Sequence, residues 1–188
     1  MYKKRNNRNI TKSYLQGAAY RYLERYATTE ANLFFILKRK TDRILSQNDQ
    51  EDFNISEIEA WINEVVVECV KHGLVNDRLY AESKMNSYSL SGNSLANIKN
   101  KLRSKGVPQD IINDVINEAI SNTPDINFKS AIKYAKKRRF GPFRIRKLNE
   151  TTFDKELASM ARAGYSYSES IKILKGKLED LEDVLYGN

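Results

Sequence analysis

Apolar residues recur along this chain at intervals of three and four, and no stretch alternates for long enough to suggest a strand. Leu15, Ala18, Ala19, Tyr22, Leu23 and Tyr26 fall on one face of a helix, and Leu33, Ile36 and Leu37 on one face of the next. Thr28 or Thr29 can cap that second helix, with Glu30 in the first turn, where the helix dipole favours negative charge. From about Asp42 to Asn54 the pattern gives way to a polar, partly acidic stretch, read as a linker or extended loop. Ser56 and Glu59 have capping-box spacing. They open a strong helix through Ile58, Trp61, Ile62, Val65, Val66, Cys69 and Val70, which His72-Gly73 ends.

Asn76 or Asp77 caps a helix carrying Tyr80, Ala81 and Tyr88. Another starts near Ser91, with Leu95, Ile98 and Leu102 on one side, and stops at Gly106. Pro108 suits the first turn of the next, whose face is Ile111, Ile112, Val115, Ile116 and Ala119. Beyond Pro124-Asp125, Phe128, Ala131, Ile132 and Ala135 mark a seventh helix, which Gly141-Pro142 breaks. Thr151 with Asp154 begins an eighth, buried through Phe153, Leu157 and Met160. A stripe from Ile171 through Leu174, Leu178 and Leu181 to Leu185 reads as a ninth. The pattern therefore predicts nine helices and an all-α fold.

These helices carry a phrase written three times. An apolar stretch ends in a short basic or small-residue turn, as Leu102-Arg103-Ser104-Lys105-Gly106-Val107 and Met160-Ala161-Arg162-Ala163-Gly164-Tyr165. The first copy, Leu37-Lys38-Arg39-Lys40-Thr41, lacks the glycine. A period this long leaves room for three helices per copy. The expected architecture is three tandem three-helix repeats in an elongated, curved array: a basic flexible tail at 1–12, a first repeat at 13–73 with its loop at 42–54, a second at 74–122, and a third at 123–188 ending in an acidic helix. Stacking would remove the apolar ends of each unit from water.

Composition agrees. Glycine (8) and proline (3) are scarce in 188 residues, which suits helices joined by short loops. No apolar run approaches a membrane span, and the basic N-terminal segment has no apolar core of a signal peptide. One cysteine, Cys69, excludes an internal disulfide. A cytoplasmic, monomeric protein is expected.

Charge sharpens the picture. The net charge is +8 and unevenly spread. From Ile126 to Asn149 there are nine basic residues and no acidic one, whereas Glu179, Asp180, Glu182 and Asp183 crowd the C-terminal end. The candidate binding residues are Lys136, Lys137, Arg138, Arg139, Arg144, Arg146 and Lys147, a helix end followed by a bent, aromatic-bearing basic loop. A weaker patch holds Lys38, Arg39 and Lys40, with Arg43 beside them. Such residues can track phosphates or meet acidic side chains of a protein, or they can form a solvated helix face; charge alone does not separate these.

Residue types for chemistry are sparse. His72 stands in a Cys-x-x-His arrangement with Cys69, but no second Cys/His pair completes a zinc site, so a helix-end histidine beside a buried cysteine is the expected reading. The glycines are scattered, with no phosphate loop, and one histidine leaves little to activate a nucleophile. No enzyme activity and no cofactor are expected. Eleven tyrosines could offer stacking surfaces, but Tyr22, Tyr26, Tyr80 and Tyr165 fall on or beside apolar stripes and are assigned to the core.

The succession of motifs resembles the RecX family of bacterial recombination regulators, from about Tyr14 to Leu174. The first unit is similar in Ala19-Tyr20-Arg21-Tyr22-Leu23-Glu24-Arg25-Tyr26, then Thr29-Glu30 with Leu33 and Leu37. The second is similar in Asn76-Asp77-Arg78-Leu79-Tyr80-Ala81, then Leu102 and Lys105-Gly106-Val107. The third, with Gly141-Pro142-Phe143-Arg144, Asp154-Lys155-Glu156-Leu157 and Arg162-Ala163-Gly164-Tyr165-Ser166, looks like the α-proteobacterial branch. Thr41 departs from the expected glycine, and the stretch from Asp42 to Asn54 is a long insertion. The resemblance implies a protein of three tandem three-helix repeats that binds the RecA recombinase and its filament on single-stranded DNA. It would lie in the filament groove and inhibit ATP hydrolysis, filament growth and strand exchange, with weak direct DNA contact allowed. The alternative is an autonomous helical protein that binds DNA or RNA without a protein partner. The basic residues named above rest on charge and not on correspondence with the family.

Overall fold

Most helices of this chain begin at a side chain that can accept a hydrogen bond from an otherwise unpaired backbone N–H. Thr11 accepts from Tyr14 at 3.1 Å and starts α1 (Lys12–Leu23), and Thr29 accepts from Asn32 at 3.1 Å and starts α2 (Glu30–Leu45). Asn54 starts α3 (Ile55–Lys71), Asn76 starts α4 (Asp77–Leu90) and Ser94 starts α5 (Leu95–Ser104) in the same way. Pro108 precedes α6 (Gln109–Asn122), and Asp125 precedes α7 (Ile126–Arg138). A 3-10 turn, Gly141–Phe143, leads towards α8 (Thr152–Arg162). Ser166 and Glu169 form a reciprocal capping box at the head of α9 (Tyr167–Leu174), and α10 (Leu178–Tyr186) ends the chain. The computed structural model describes residues 10–47, 54–145 and 151–187, and all regular structure among them is helical.

Two compact units are formed, one from residues 1–80 with 105–107, the other from 81–104 with 108–188. In the first, α1, α2 and α3 pack on one another around Leu15, Leu33, Leu37, Ile62 and Val65. In the second, α5 packs on α6 and Ile98, Leu102 and Ile112 are buried, while α7 and α9 gather Ala131, Ile132, Ala135, Met160, Tyr165 and Ile173.

Several expectations shift. α2 does not stop at Asp42 but runs to Leu45, because Thr41 is buried and Ile44 and Leu45 continue the stripe onto the core. α3 starts at Ile55, since Asn54 supplies the cap ahead of Ser56. α5 starts at Leu95 and not near Ser91, with Ser94 as its cap. The expected ninth helix is two: Lys177 takes extended backbone (φ −82°, ψ 146°) after Gly176, giving ten α-helices among the described residues. Ile10 lies in the first core at 5% exposure. Of the tyrosines assigned to the core, Tyr80 and Tyr165 are buried and Tyr22 is half-buried. Tyr26 is 56% exposed, because α1 ends three residues earlier and the face it would continue is gone; it rests against Tyr22 with 5.1 Å between ring centroids. Cys69 is buried, and His72, at the end of α3, lies 2.8 Å through Nδ1 from the Glu68 carbonyl. The segment before Ile10, residues 48–53 of the expected loop at 42–54, and Arg146 and Lys147 lie outside the described residues.

One joint is built twice. In the first unit the Thr29 hydroxyl, already capping α2, donates to the Lys105 carbonyl, and the Glu30 N–H donates to the Asp77 carboxylate at 2.9 Å. Gly106 (φ +77°) lies so close that a Cβ there would stand 2.5 Å from the Ala31 Cβ. In the second unit the Ser94 hydroxyl donates to the Ala163 carbonyl at 2.6 Å, and the Leu95 N–H donates to the Asn127 side-chain oxygen at 2.9 Å. Gly164 (φ +86°) takes the place of Gly106, with a hypothetical Cβ 2.5 Å from Ser94 Oγ. The paired segments are Thr29-Glu30-Ala31-Asn32 and Ser94-Leu95-Ala96-Asn97. The glycine-free copy, Leu37 to Thr41, lies inside α2.

Ser94→Ala removes a cap and leaves the Ala163 carbonyl without its donor. It should cost about 1–2 kcal/mol in urea unfolding followed by circular dichroism. Ser94→Asp keeps an acceptor for Asn97 but has no proton for Ala163, and should not recover the loss. A change below about 0.3 kcal/mol would remove the joint from the account of stability.

Candidate polyanion-binding surface

The basic candidates begin on α7, whose apolar face buries Ala131, Ile132 and Ala135 and whose last turn carries Lys136, Lys137 and Arg138. Cations at this end face the negative pole of the helix dipole, a favourable placement. Arg139 then takes left-handed backbone (φ 59°, ψ 49°), the only non-glycine residue with positive φ among the described residues. Its N–H donates to Lys136 at 3.1 Å and the Phe140 N–H to Ala135 at 2.9 Å, which closes the helix end. Gly141 (φ +54°) presses the chain against α9, where a Cβ would meet the Leu174 Cα at 2.8 Å.

The cations do not all serve the same end. Arg144 folds back on α8 and grips Glu156 with two hydrogen bonds, Nε to Oε1 at 2.8 Å and Nη2 to Oε2 at 2.6 Å. Glu156 also accepts the Gly141 N–H at 2.9 Å, and the two side chains are only 14% and 7% exposed. The Glu156 hydrogen bonds hold the Arg144 pKa above its ordinary value, despite burial. Arg144 thus fastens the loop. Lys136 donates to Glu182 of α10 at 2.9 Å and lies 5.9 Å from the centre of the Phe143 ring. Arg138 lies over the Tyr134 ring at 5.7 Å. Lys137, Arg138 and Arg139 are exposed, and among the described residues none of the three has an ion-pair partner.

In the first unit, Lys38 pairs with Glu59 of α3, which raises its pKa, while Arg39 lies over the exposed Phe35 ring at 6.0 Å and Lys40 over Tyr14 at 5.5 Å. This patch and the end of α7 belong to different units. Counting charges along the chain marked Glu182 as acidic but paired neither it nor Glu156 with a cation. The signal for Glu156 was present: an acidic residue on the face of Phe153, Leu157 and Met160 needs a partner once buried.

Among the described residues, no three His, Cys, Asp or Glu side chains are placed to hold a metal, and no helix is long and apolar enough to cross a membrane. The arrangement offers charge and shape: three exposed cations at a helix end, on a turn fixed by Glu156 and Gly141.

Two substitutions separate these roles. Arg144→Met strands the Glu156 carboxylate and should destabilise the protein by about 3 kcal/mol in urea unfolding. Arg139→Gly relieves left-handed backbone and should stabilise it by about 1 kcal/mol. A destabilising Arg139→Gly would mean that the arginine side chain holds the turn.

No family model matches the chain. Regulatory protein RecX of Myxococcus xanthus is 36% identical over 169 residues, covering 89% of this chain and 87% of the relative. Regulatory protein RecX of Agrobacterium fabrum is 28% identical over 173 residues, covering 92% and 88%. A crystal structure of a regulatory protein RecX superimposes with a TM-score of 0.62 at 20% identity, over 87% of this chain and 71% of the other. RecX from Lactobacillus salivarius superimposes with a TM-score of 0.59 at 22% identity, over 91% and 96%. The structures share the all-helical fold, and the Myxococcus relative matches nearly end to end. This chain belongs to the RecX family of regulatory proteins.

Proposed function

We propose that this protein binds RecA and the RecA filament on single-stranded DNA, and inhibits ATP hydrolysis, filament growth and strand exchange. The observation that carries the reading is the 36% identity to a RecX protein over 89% of the chain. The exposed end of α7 supports it physically: Lys137, Arg138 and Arg139 offer positive charge without competing carboxylates among the described residues. Such a surface suits a nucleoprotein filament, which presents phosphates and acidic side chains together. Lys38, Arg39 and Lys40 would be a secondary contact, with Arg39 the most exposed. Inhibition would come from occupying a surface and not from chemistry.

We also propose that the helices derive from three tandem three-helix units, α1–α3, α4–α6 and α7–α9, with α10 appended. The twice-built joint supports this, since it ties the head of the second helix of one unit to the glycine turn of the following unit's second helix.

The test is RecA ATP hydrolysis on single-stranded DNA with this protein titrated at fixed salt, beside retention of RecA with and without DNA. Inhibition with RecA retained is expected. The combined variant Lys137→Glu, Arg138→Glu, Arg139→Glu should weaken inhibition by about tenfold. Unchanged inhibition would move the surface elsewhere. Without RecA retention the reading fails, and salt-dependent binding to bare nucleic acid takes its place.

A further inference from the structure

The acidic C-terminal helix rests on the helix that carries the candidate surface. α10 holds Glu179, Asp180, Glu182 and Asp183 and no basic residue. α7 ends in Lys136, Lys137 and Arg138, followed by Arg139. The two helices pack directly. Leu181, 4% exposed, anchors α10 in the core of the second unit, with Val184 and Leu185 partly buried beside it. That anchoring leaves Glu179, Asp180 and Asp183 facing solvent.

Contact between the two charge clusters converges on one residue. Lys136 Nζ lies 2.9 Å from Glu182 Oε1 and 3.5 Å from the Tyr186 hydroxyl, with the Tyr186 ring centre at 5.2 Å. The hydrogen bond to Glu182, and then that to Tyr186, raise the Lys136 pKa, so the ammonium keeps its charge. Lys136 is therefore oriented towards α10, while its three neighbours, exposed as it is, have no ion-pair partner among the described residues. A pair at the surface is weak enough for a phosphate to displace it.

We propose that α10 is a built-in competitor for the basic end of α7: Glu182 occupies Lys136, and a polyanion engages the full cluster only by taking Lys136 from it. This rests on reading the end of α7 as the polyanion-binding surface. The consequence is selection by charge density. An isolated anion meets three cations already available and gains little by opening the pair. A phosphate chain reaching along the helix end replaces the Glu182 carboxylate with a contact of its own and adds a fourth cation.

The test uses the full chain and fluorescein-labelled single-stranded oligothymidylate, with anisotropy measured across a salt series and helical content checked for each variant. Glu182→Gln should tighten binding several-fold and steepen the dependence of log affinity on log salt by about 0.7, one further phosphate contact on a single strand. Asp183→Asn changes net charge equally but touches no part of Lys136 that the structure shows, and should shift affinity much less. Lys136→Gln should be nearly silent in the parent protein and should abolish the gain in the Glu182→Gln background. Equal shifts for Glu182→Gln and Asp183→Asn would overturn the competitor in favour of bulk charge, as would a Glu182→Gln gain that survives loss of Lys136. The charge reversal at 137–139, run in the same assay, separates the two readings. Weakened binding there with equal shifts for the two acid variants leaves the surface standing and removes only the competitor. No weakening removes the surface itself.

Discussion

A hydroxyl that accepts and donates at the same time is the constraint on which the rest of this fold depends. Thr29 and Ser94 each accept a backbone N–H as helix caps, and each donates its own proton to a carbonyl far along the chain. Asp could cap as well, but an ionised carboxylate has no proton to give, and it would face a carbonyl dipole end on. The rest follows from that demand. The carbonyl must approach the helix head, so the residue after it has no Cβ. The second helical position is alanine, as Ala31 and Ala96, because a larger side chain would fill the space that Gly106 or Gly164 leaves. Hydroxyl, alanine and glycine are three consequences of one close approach.

In the second unit this approach reaches the candidate surface through aromatic rings. Tyr165 follows Gly164 directly, is buried, and donates its hydroxyl to the Gly92 carbonyl at 3.0 Å. Burial pushes its phenol well above the usual tyrosine range, so that proton stays in place. The ring lies 5.7 Å from Tyr134, which meets Phe140 edge-on at 6.2 Å and carries Arg138 on its face. Gly92 lies so close to α7 that a Cβ there would stand 2.8 Å from the Tyr134 nitrogen. The position of the α7 end is thereby set by packed rings and backbone contacts together with the Arg144–Glu156 pair. Such rigidity would serve the surface occupancy proposed above, because each side chain ordered only on binding costs affinity.

Much of this was legible along the chain, and what was not has a common cause. Spacing of three and four located the buried faces of α1, α3, α6 and α7, because a helix that buries one face must repeat that way. The glycine turns after Leu102 and Met160 were visible as repeated text, although their partners Thr29 and Ser94 were not. The break between α9 and α10 escaped because Leu174 and Leu178 keep helical spacing across it. Lys175 to Lys177, with extended backbone at Lys177, separate the two helices. Glu169 could have been paired with Ser166 from spacing alone, and the capping box is there. Tyr26 was misplaced because periodicity does not announce where a helix stops.

The basic run shows most clearly what a count of charges can and cannot tell. Arg144, Lys136 and Arg139 stand within nine residues of one another and do three different things. Arg144 gives up solvent to hold a loop, because a guanidinium fork matches a carboxylate geometrically and Glu156 is otherwise buried. Lys136 keeps one side open and meets an acid from another helix. Arg139 remains exposed in a backbone conformation that glycine would adopt without strain. Arginine at this position keeps a backbone strain that glycine would relieve, at a helix end where the dipole favours cations, and this is compatible with the polyanion-binding surface proposed above. Net charge therefore locates the region, and the partners of each cation decide which part of it can meet another molecule.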